Sequence, residues 1–486
     1  MSAMDTGTRS FLVSNRAASL ALVLVAAASL AGQSPDAKQI QAVSQNASAQ
    51  TKEARLVAAD AKAAAMNITS KYQRGLVLEE IGAAQAEAGD LDAAVETARQ
   101  AYPNTFAILK AIGEQLANSN DSGEVESILL KLKLGHSPTL LAFLAQGQAQ
   151  KGNIDVALRT TEQIQDRGVR FDALRWIAER QAATGDYSGA RKTFELARAA
   201  NPSEHSSPDE VEILIAKGQT SRGDIQGALA TISSMKSSGM KVTALASVAE
   251  KLSNTADKVS AIAFLEDVMR DSPEGRDGDI LRYVAIPLQV KLGQKDRAMQ
   301  VAGVLRVDLR LKGYAAVGVA CAEAKDIACV DAALAGIQPT ASFVRENSDF
   351  QAHQLILNVT AALLDHGEFE AGSRWLTLVE QHPDVRYTEP EVKLQRVFAL
   401  AQNGEFDAAR SLALKIRPSS MDEGERGAAF RTIALLQTKK DGAASAKQWA
   451  SALADSEDRA YSLLGIAQGL LGIGDATLPY PTLWIH

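Results

Sequence analysis

The segment IAERQAATGDYSGARKTF, residues 177–194, decides the fold that this sequence predicts. Apolar residues recur at helical spacing on both sides of a central Gly185-Asp186 pair. Glycine can take the positive φ that ends a first helix, and aspartate can cap the start of a second helix. The segment therefore predicts a hairpin of two antiparallel helices.

The same hairpin pattern recurs along the chain. Four segments align with residues 177–194: IGAAQAEAGDLDAAVETA from Ile81, LAQGQAQKGNIDVALRTT from Leu144, IAKGQTSRGDIQGALATI from Ile215 and IPLQVKLGQKDRAMQVAG from Ile286. Weaker copies place turns at Gly123, Ala256, Lys325, Gly367, Gly404, Lys440 and Gly474. Turns thus recur about every 35 residues, a period typical of helical repeats. Because two helices cannot bury both apolar faces alone, the hairpins must stack. The sequence predicts an all-α fold, an α-solenoid of about twelve antiparallel helical hairpins.

This pattern resembles the tetratricopeptide repeat (TPR) family, most clearly over residues 171–204. Leu174 and Ile177 occupy large apolar positions, Ala178 the small one, and Phe194 and Pro202 match the second half of the unit. The resemblance covers roughly residues 71–475 and implies a right-handed superhelix with an inner groove for a partner. Where the family often has an aromatic residue, four positions before the turn, this chain has Gln85, Gln148, Gln181, Gln219 and Gln289. A related helical-repeat class with a unit of similar length is the alternative.

Residues 1–31 are typical of a secretory signal peptide. Arg9 and Arg16 precede an uncharged apolar run over residues 17–31, and this run ends in the small residues of Ser29-Leu30-Ala31. The run is short for a membrane span, which needs about 20 residues. We therefore expect cleavage near Ala31, a periplasmic or extracellular location, and no membrane span after cleavage. An uncleaved anchor or a buried helix is the alternative.

The remaining boundaries follow from composition. Residues 32–50 are predicted to be a flexible segment, and an N-terminal helix over residues 51–66 opens a TPR-like α-solenoid that extends over residues 51–475. Residues 476–486 contain Pro479 and Pro481, which interrupt a helix, so we expect an irregular C-terminal tail there. That tail either covers the open end of the last repeat or stays loose.

Charge and motifs disfavour nucleic-acid binding and catalysis. The chain has 51 basic and 58 acidic residues and a formal net charge of -7, without the basic block that nucleic acid or anionic lipid attracts. The six histidines include no pair at the spacing of a zinc-binding helix, and neither a G-x-S-x-G elbow nor a phosphate-binding loop occurs. We expect no enzyme activity, no metal and no cofactor. The sequence favours a scaffold for a partner protein or peptide; the alternative is an accessory or regulatory subunit of an envelope enzyme complex for cell-wall or polymer handling.

Candidate partner-binding residues come from the TPR resemblance. In that family the inner groove is lined by first-helix residues that point away from the second helix. Transferred position by position, they are Glu79, Glu87, Gln146, Gln150, Arg175, Glu179 and Lys217. Their mixed charges suit a polar partner segment, although any solvated helix face has a similar composition.

The glutamines before the turns allow two interpretations. Stacked units would place them in a partial ladder along the first helices, where each amide can both donate and accept a hydrogen bond and so fix the register between units. Alternatively, the same amides line the inner face and bind an extended peptide.

The two cysteines, Cys321 and Cys329, lie four residues on either side of the predicted turn at Lys325. Positions equidistant from the turn of an antiparallel hairpin can face each other, so these thiols can form a disulfide in an oxidising compartment. The alternative is two small residues buried at helix-packing positions.

Residues 222–224 form the tripeptide Arg-Gly-Asp, which matches a cell-adhesion sequence. Gly223 and Asp224 fall in the same columns as Gly185 and Asp186. We therefore interpret the tripeptide as a hairpin turn and expect Arg222 to be an unconstrained flanking residue.

Overall fold

The structure is a computed structural model that describes residues 37–119, 122–132, 138–202, 207–249, 251–252, 255–270, 275–337, 348–381, 389–417 and 425–474. Within these ranges the protein contains twenty-four helices and no strand, so the all-α prediction is confirmed. The predicted signal peptide and the predicted C-terminal tail lie outside the described residues.

In chain order the helices are α1 (Ala37–Ala65), α2 (Lys71–Glu87), α3 (Leu91–Ala101), α4 (Phe106–Asn118), α5 (Ser122–Leu132), α6 (Pro138–Gln150), α7 (Ile154–Glu162), α8 (Arg167–Thr184), α9 (Tyr187–Ala200), α10 (Asp209–Ser221), α11 (Ile225–Ser234), α12 (Ser238–Ala249), α13 (Thr255–Arg270), α14 (Arg276–Lys291), α15 (Lys295–Val304), α16 (Val307–Glu323), α17 (Ile327–Ile337), α18 (Ser348–Asp365), α19 (Phe369–Glu380), α20 (Glu389–Asn403), α21 (Phe406–Ala413), α22 (Glu425–Asp441), α23 (Ala443–Ala452) and α24 (Ser456–Leu471).

Two compact units divide the described residues. Unit 1 contains those up to Gln148 and those from Leu400 onward, and unit 2 contains Ala149–Ala399.

Within each unit the helices pack as hairpins, and the first helices of successive hairpins pack on one another. In unit 1, α2 contacts α3 and α4, and α22 contacts α23 and α24. In unit 2, α8, α10, α12, α14, α16 and α18 each pack on the next first helix in this order. The core is aliphatic: one cluster of unit 2 joins Ile232, Leu245, Leu265 and Leu281.

Glycines let neighbouring first helices touch through their backbones. A Cβ on Gly218 of α10 would lie 2.1 Å from the carbonyl oxygen of Ala182 on α8, and a Cβ on Gly465 of α24 would lie 2.2 Å from that of Arg431 on α22. Real Cβ atoms do not approach so closely. These positions therefore fix the close spacing of the first helices within each unit.

Nine of the predicted turns have the expected left-handed residue. Eight are glycines with φ between 74° and 92°, and the ninth is Lys325, the one described residue other than glycine with a positive φ, at 57°. Asp90, Asp186, Asp224 and Asp326 follow four of these residues, and each accepts a hydrogen bond from a backbone N–H of the next helix. The local chemistry of the turn was thus predicted correctly.

Three predicted turns were misplaced. Gly123 and Ala256 lie inside α5 and α13, close to the N-terminal ends of those helices, and Lys440 lies inside α22. The left-handed residue near Lys440 is Gly442 (φ 84°), and α24 ends before Gly472 (φ 63°), two residues before the predicted turn residue Gly474. The displacements are a few residues, because apolar periodicity defines helix ends poorly.

Lys325→Gly is expected to stabilise unit 2 by about 0.5–1 kcal/mol. The left-handed conformation costs an L-residue about 1–2 kcal/mol, and glycine removes this cost but increases the entropy of the unfolded chain, which offsets part of the gain. The reciprocal variant is Gly293→Ala, whose new Cβ meets nothing within 4 Å at φ +84°. It should lose stability through backbone strain alone. Urea unfolding followed by circular dichroism measures both variants, and a stabilising Gly293→Ala or a destabilising Lys325→Gly would contradict this account.

Arg222 is not unconstrained, which corrects the interpretation of the Arg-Gly-Asp tripeptide. Its Nη1–H donates a 3.0 Å hydrogen bond to the carbonyl oxygen of Thr184, the last residue of α8. A cation there complements the negative end of the helix dipole. Gly223 and Asp224 form the turn as predicted, but Arg222 links two successive turns, so Arg222→Ala removes a cap.

The first and last described helices meet in unit 1. α1 packs against α24 and α2, and α24 also contacts α2. Ala54, Val57, Ala58, Ala61 and Ala65 of α1 are buried. The seam is flanked by an ion pair between Lys447 and Glu53 at 2.6 Å and by a hydrogen bond from Nε–H of Arg55 to the carbonyl oxygen of Ala88 at 2.7 Å.

α1 therefore takes the place of a second helix beside α24. The sequence predicted an N-terminal helix over residues 51–66 and a flexible segment over 32–50, whereas α1 begins at Ala37. The sequence also predicted that the C-terminal tail either covers the last repeat or stays loose; the tail lies outside the described residues, so this stays a prediction, and α1 is a described helix that packs on α24. The helical propensity of residues 37–50 was overlooked because their apolar residues are sparse.

Candidate functional site

The seven predicted groove residues lie on first helices and are all half-buried. We call them the first-helix strip: Glu79 and Glu87 on α2, Gln146 and Gln150 on α6, Arg175 and Glu179 on α8, and Lys217 on α10. Glu79, Glu87 and Gln146 belong to unit 1 and the other four to unit 2. The strip is thus two separate sets of side chains, one in each unit.

Glu79 is used inside the fold. Its Oε1 accepts a 2.9 Å hydrogen bond from the backbone N–H of Ala107, in the first turn of α4. A carboxylate at a helix N-terminus satisfies a free amide and complements the helix dipole. Glu79 therefore fixes α4 beside α2, a structural role that the sequence interpretation did not include.

Glu87 lies in an acidic environment between α2 and α4. Burial, and then the negative charge of Glu114, raise its pKa to about 7, while Lys110 acts in the opposite direction. Burial also raises the pKa of Glu114, again opposed by Lys110. The two helices approach closely because a Cβ on Gly82 would lie 2.5 Å from Cδ1 of Ile108.

Lys110 and Glu114 were missed in the sequence. Their signal was their spacing: they are four residues apart, on one face of α4, as Glu79 and Glu87 are two turns apart on α2. The weak turn near Gly123 hid this repeat, so its first helix was not aligned with the others.

Gln146 has a shielded amide oxygen. Its Oε1 is inaccessible to solvent and accepts no hydrogen bond from a described residue. Its neighbour Gly147 packs against α4, where a Cβ would lie 2.5 Å from that of Ala117. This close approach places α6 directly beside α4 in unit 1.

In unit 2 the strip joins α8 and α10. Arg175 and Glu179 are four residues apart and therefore on one face of α8, and Nε of Arg175 lies 4.0 Å from Oδ1 of Asp172. The contact of Gly218 with Ala182 sets α10 beside α8, and Lys217 is the residue before this contact. The set carries charges of both signs on adjacent helices.

The glutamines before the turns form no ladder from unit to unit in the bonds that the structure gives. Oε1 of Gln85 accepts from Thr97, Oε1 of Gln181 accepts from Thr193, and Oε1 of Gln219 accepts from Thr231, at 2.6, 2.7 and 2.8 Å. Each threonine lies twelve residues further on, in the second helix of the same hairpin. Gln85 and Gln181 are also buried. These amides therefore clamp the two helices of their own hairpin.

The sequence contained the signal for this clamp. Thr160 stands twelve residues after Gln148 as well, so four of the five glutamines have a threonine at this spacing. Gln289 has Val301 there instead, and its Oε1 is buried without a hydrogen bond from a described residue. Gln289 thus lacks the threonine that donates to Gln85, Gln181 and Gln219, which accounts for its unsatisfied amide oxygen.

Cys321 and Cys329 are joined in a disulfide, with their Cα atoms 5.8 Å apart and both residues buried. They connect α16 and α17 across the turn at Lys325. We expect a thiol titration of the unfolded, unreduced protein to find no free thiol. Two free thiols per chain would show that the cysteines only pack.

Stability should depend on pH through Glu87. Because its folded pKa lies above the ordinary value of 4.5, Glu87 contributes stability that is present below pH 4.5 and lost as the pH rises through about 7. Glu87→Gln should therefore be more stable than the parent at pH 8 by about 1–3 kcal/mol, the upper figure being the whole pKa shift, and by less than about 1 kcal/mol at pH 5.

Urea unfolding at the two pH values measures this difference. Glu126→Gln, which removes an exposed carboxylate of α5, is the control. An advantage of Glu87→Gln that is no larger at pH 8 than at pH 5 would refute the role assigned to burial.

The described residues show neither a metal-binding cluster nor a membrane-spanning helix. No group of three or more His, Cys, Asp or Glu side chains in these ranges is placed to hold a metal ion. In the same part of the chain no helix combines the length and the apolar character of a membrane span.

Comparison with known proteins adds no family to these observations. No protein-family model matches the chain, and no curated protein is significantly similar to it in sequence.

Proposed function

We propose that this protein is an exported, non-catalytic scaffold whose hairpins form a TPR-like α-solenoid that binds a partner protein or peptide. One observation carries the proposal. On the first helices the apolar residues are buried between helices, whereas the polar residues of the first-helix strip remain half-buried in both units.

Half-buried charges favour a partner with complementary charges. The set in unit 2 has Arg175, Glu179 and Lys217 on adjacent helices, so a partner segment with alternating charges can pair with it. Such complementarity gives specificity and a faster association more than raw affinity. An extended segment across several hairpins spreads its contacts over many residues.

Glu79 is less suited to this role than the other members of the strip. Its carboxylate already accepts a hydrogen bond from α4, so a partner would have to compete with an intramolecular bond. We therefore assign the binding role in unit 1 to Glu87 and Gln146, with Lys110 and Glu114 added.

Site-specific photocrosslinking tests the surface directly. A benzoylphenylalanine is placed at Lys217 of α10 or, as the control, at Lys192, which is exposed on the second helix α9. The proposal expects one crosslinked partner from Lys217 and none from Lys192 in envelope extracts.

The purified partner then allows a quantitative test. Arg175→Glu with Lys217→Glu should weaken its binding at least tenfold, whereas Arg159→Glu with Lys192→Glu, a matched reversal of two exposed second-helix charges, should not. Equal effects of the two double variants would refute the assignment of the binding face.

Export is tested separately by N-terminal sequencing of the protein recovered from cells. The proposal expects a mature chain that begins at Gly32, in the periplasmic or secreted fraction. A cytoplasmic protein that retains residues 1–31 would contradict export while leaving the scaffold proposal to the crosslinking test.

A further inference from the structure

We propose that a cavity at one end of the α8–α9 hairpin binds a small aliphatic α-amino acid. The cavity has a volume of about 390 Å³ and lies in unit 2, where the end of α7, the start of α8 and the end of α9 meet. Ligand sites for small molecules typically begin at about 300 Å³. None of its lining residues belongs to the first-helix strip, so this site goes beyond the proposed scaffold function.

Two guanidinium groups line the cavity and provide the site for a carboxylate. Arg167 is the first residue of α8, and Arg170 lies one turn further along the same helix. The Nε–H of Arg170 is shielded from solvent and has no acceptor among the described residues. A carboxylate can accept two parallel hydrogen bonds from one guanidinium group, which makes it the natural partner of a shielded arginine.

Among the described residues, arginines at the same position of other hairpins donate hydrogen bonds to backbone carbonyl oxygens, whereas Arg170 does not. Arg74 and Arg310 also stand fifteen residues before the left-handed residue of their turns. Nη1–H of Arg74 donates to the carbonyl oxygen of Ile68, and Nε–H of Arg310 donates to that of Leu305. No such bond to a described carbonyl holds Arg170, which lines the cavity instead.

The other lining residues provide partners for the ammonium group and the side chain of an amino acid. Glu162, the last residue of α7, lines the same cavity and can pair with an ammonium group. Ala200 and Pro202 provide an aliphatic surface for a side chain, above the buried Ile164. Two positive groups and one negative group match a ligand with one carboxylate and one ammonium better than a dianion such as phosphate.

Saturation-transfer NMR on the full chain tests the proposal with L-leucine as the probe. We expect saturable binding with a dissociation constant of the order of 1 mM or tighter. L-leucinamide, which lacks the carboxylate, should bind at least tenfold more weakly, and 4-methylpentanoate, which lacks the ammonium group, should also bind more weakly. The absence of saturable L-leucine binding at 50 mM would overturn the proposal, as would equal binding of L-leucinamide.

Variants locate the binding to the cavity. Arg170→Gln and, independently, the exposed Arg167→Gln should each weaken L-leucine binding at least fivefold, while Lys192→Gln removes a positive charge of α9 outside the cavity and should not. Two arginine variants keep the test valid if one of them disturbs folding, which circular dichroism reports. Undiminished binding in a folded arginine variant would overturn the assignment, as would equal loss in Lys192→Gln.

Discussion

Replacing Ala61 with aspartate is expected to destabilise unit 1 by at least ~3 kcal/mol, because it would bury an unpaired carboxylate and overfill a packed seam. Ala61 is 0% exposed on α1, the helix that packs against α24. Hydrogen exchange read by mass spectrometry should show lost protection in both helices, although they are nearly 400 residues apart in the chain.

The matched control is Ala59→Asp, an exposed position two residues earlier on the same helix. It introduces the same charge and the same helix propensity without burial, so it should change stability by less than about 0.5 kcal/mol. Equal loss of protection in the two variants would mean that α1 responds to the residue type and not to its contact with α24. Protection lost in α1 but kept in α24 would show that the two helices are not coupled.

The apolar seam, and not its ion pair, should carry this coupling. The Glu53–Lys447 pair is partly exposed on both sides, and exposed ion pairs contribute about 0–1 kcal/mol. The buried alanines let α1 approach α24 closely, so a single larger side chain is enough to open the contact. The last described helix, α24, is thereby covered by the first described helix, α1.

The hairpin itself could be predicted from sequence because its determinants are local. Gly185 ends one helix and Asp186 caps the next within a few residues, and the same two columns recur at Gly89-Asp90 and Gly223-Asp224. Even Lys325 was recognised as a turn residue, since the surrounding apolar periodicity requires a break there. Local chemistry of this kind needs no knowledge of distant contacts.

Features that depend on contacts between hairpins were not predicted. Arg222 donates to Thr184 of the preceding hairpin, and Glu79 accepts from Ala107 of the following one. Neither partner can be identified from helical periodicity, because the register between hairpins is set by close contacts such as that of Gly218 with Ala182. The contact of α1 with α24 joins helices nearly 400 residues apart in the chain and left no local signal at all.

The glutamines before the turns are an intermediate case, because their recurrence was recognised in the sequence but their threonine partners were not. Gln181→Leu is expected to cost unit 2 about 2 kcal/mol, because it leaves the buried Thr193 hydroxyl without its acceptor. Thr193→Val should cost a similar amount by leaving Oε1 of Gln181 without a donor. Nε2–H of Gln181 also donates to Oδ2 of Asp186 at 3.0 Å, but that carboxylate keeps its cap bond from the backbone N–H of Gly189.

The double variant Gln181→Leu with Thr193→Val distinguishes a hydrogen bond within one hairpin, the clamp, from a ladder of glutamines between hairpins. If the two side chains serve each other inside one hairpin, removing both leaves no unsatisfied group, and the loss should fall below about 1 kcal/mol, well under the sum of the single losses. A ladder between units, or a partner-binding role, predicts no such compensation by Thr193. Hydrogen exchange of α8 and α9 measures the three variants locally, which avoids treating a chain of two units as a two-state folder. Additive losses would refute the clamp.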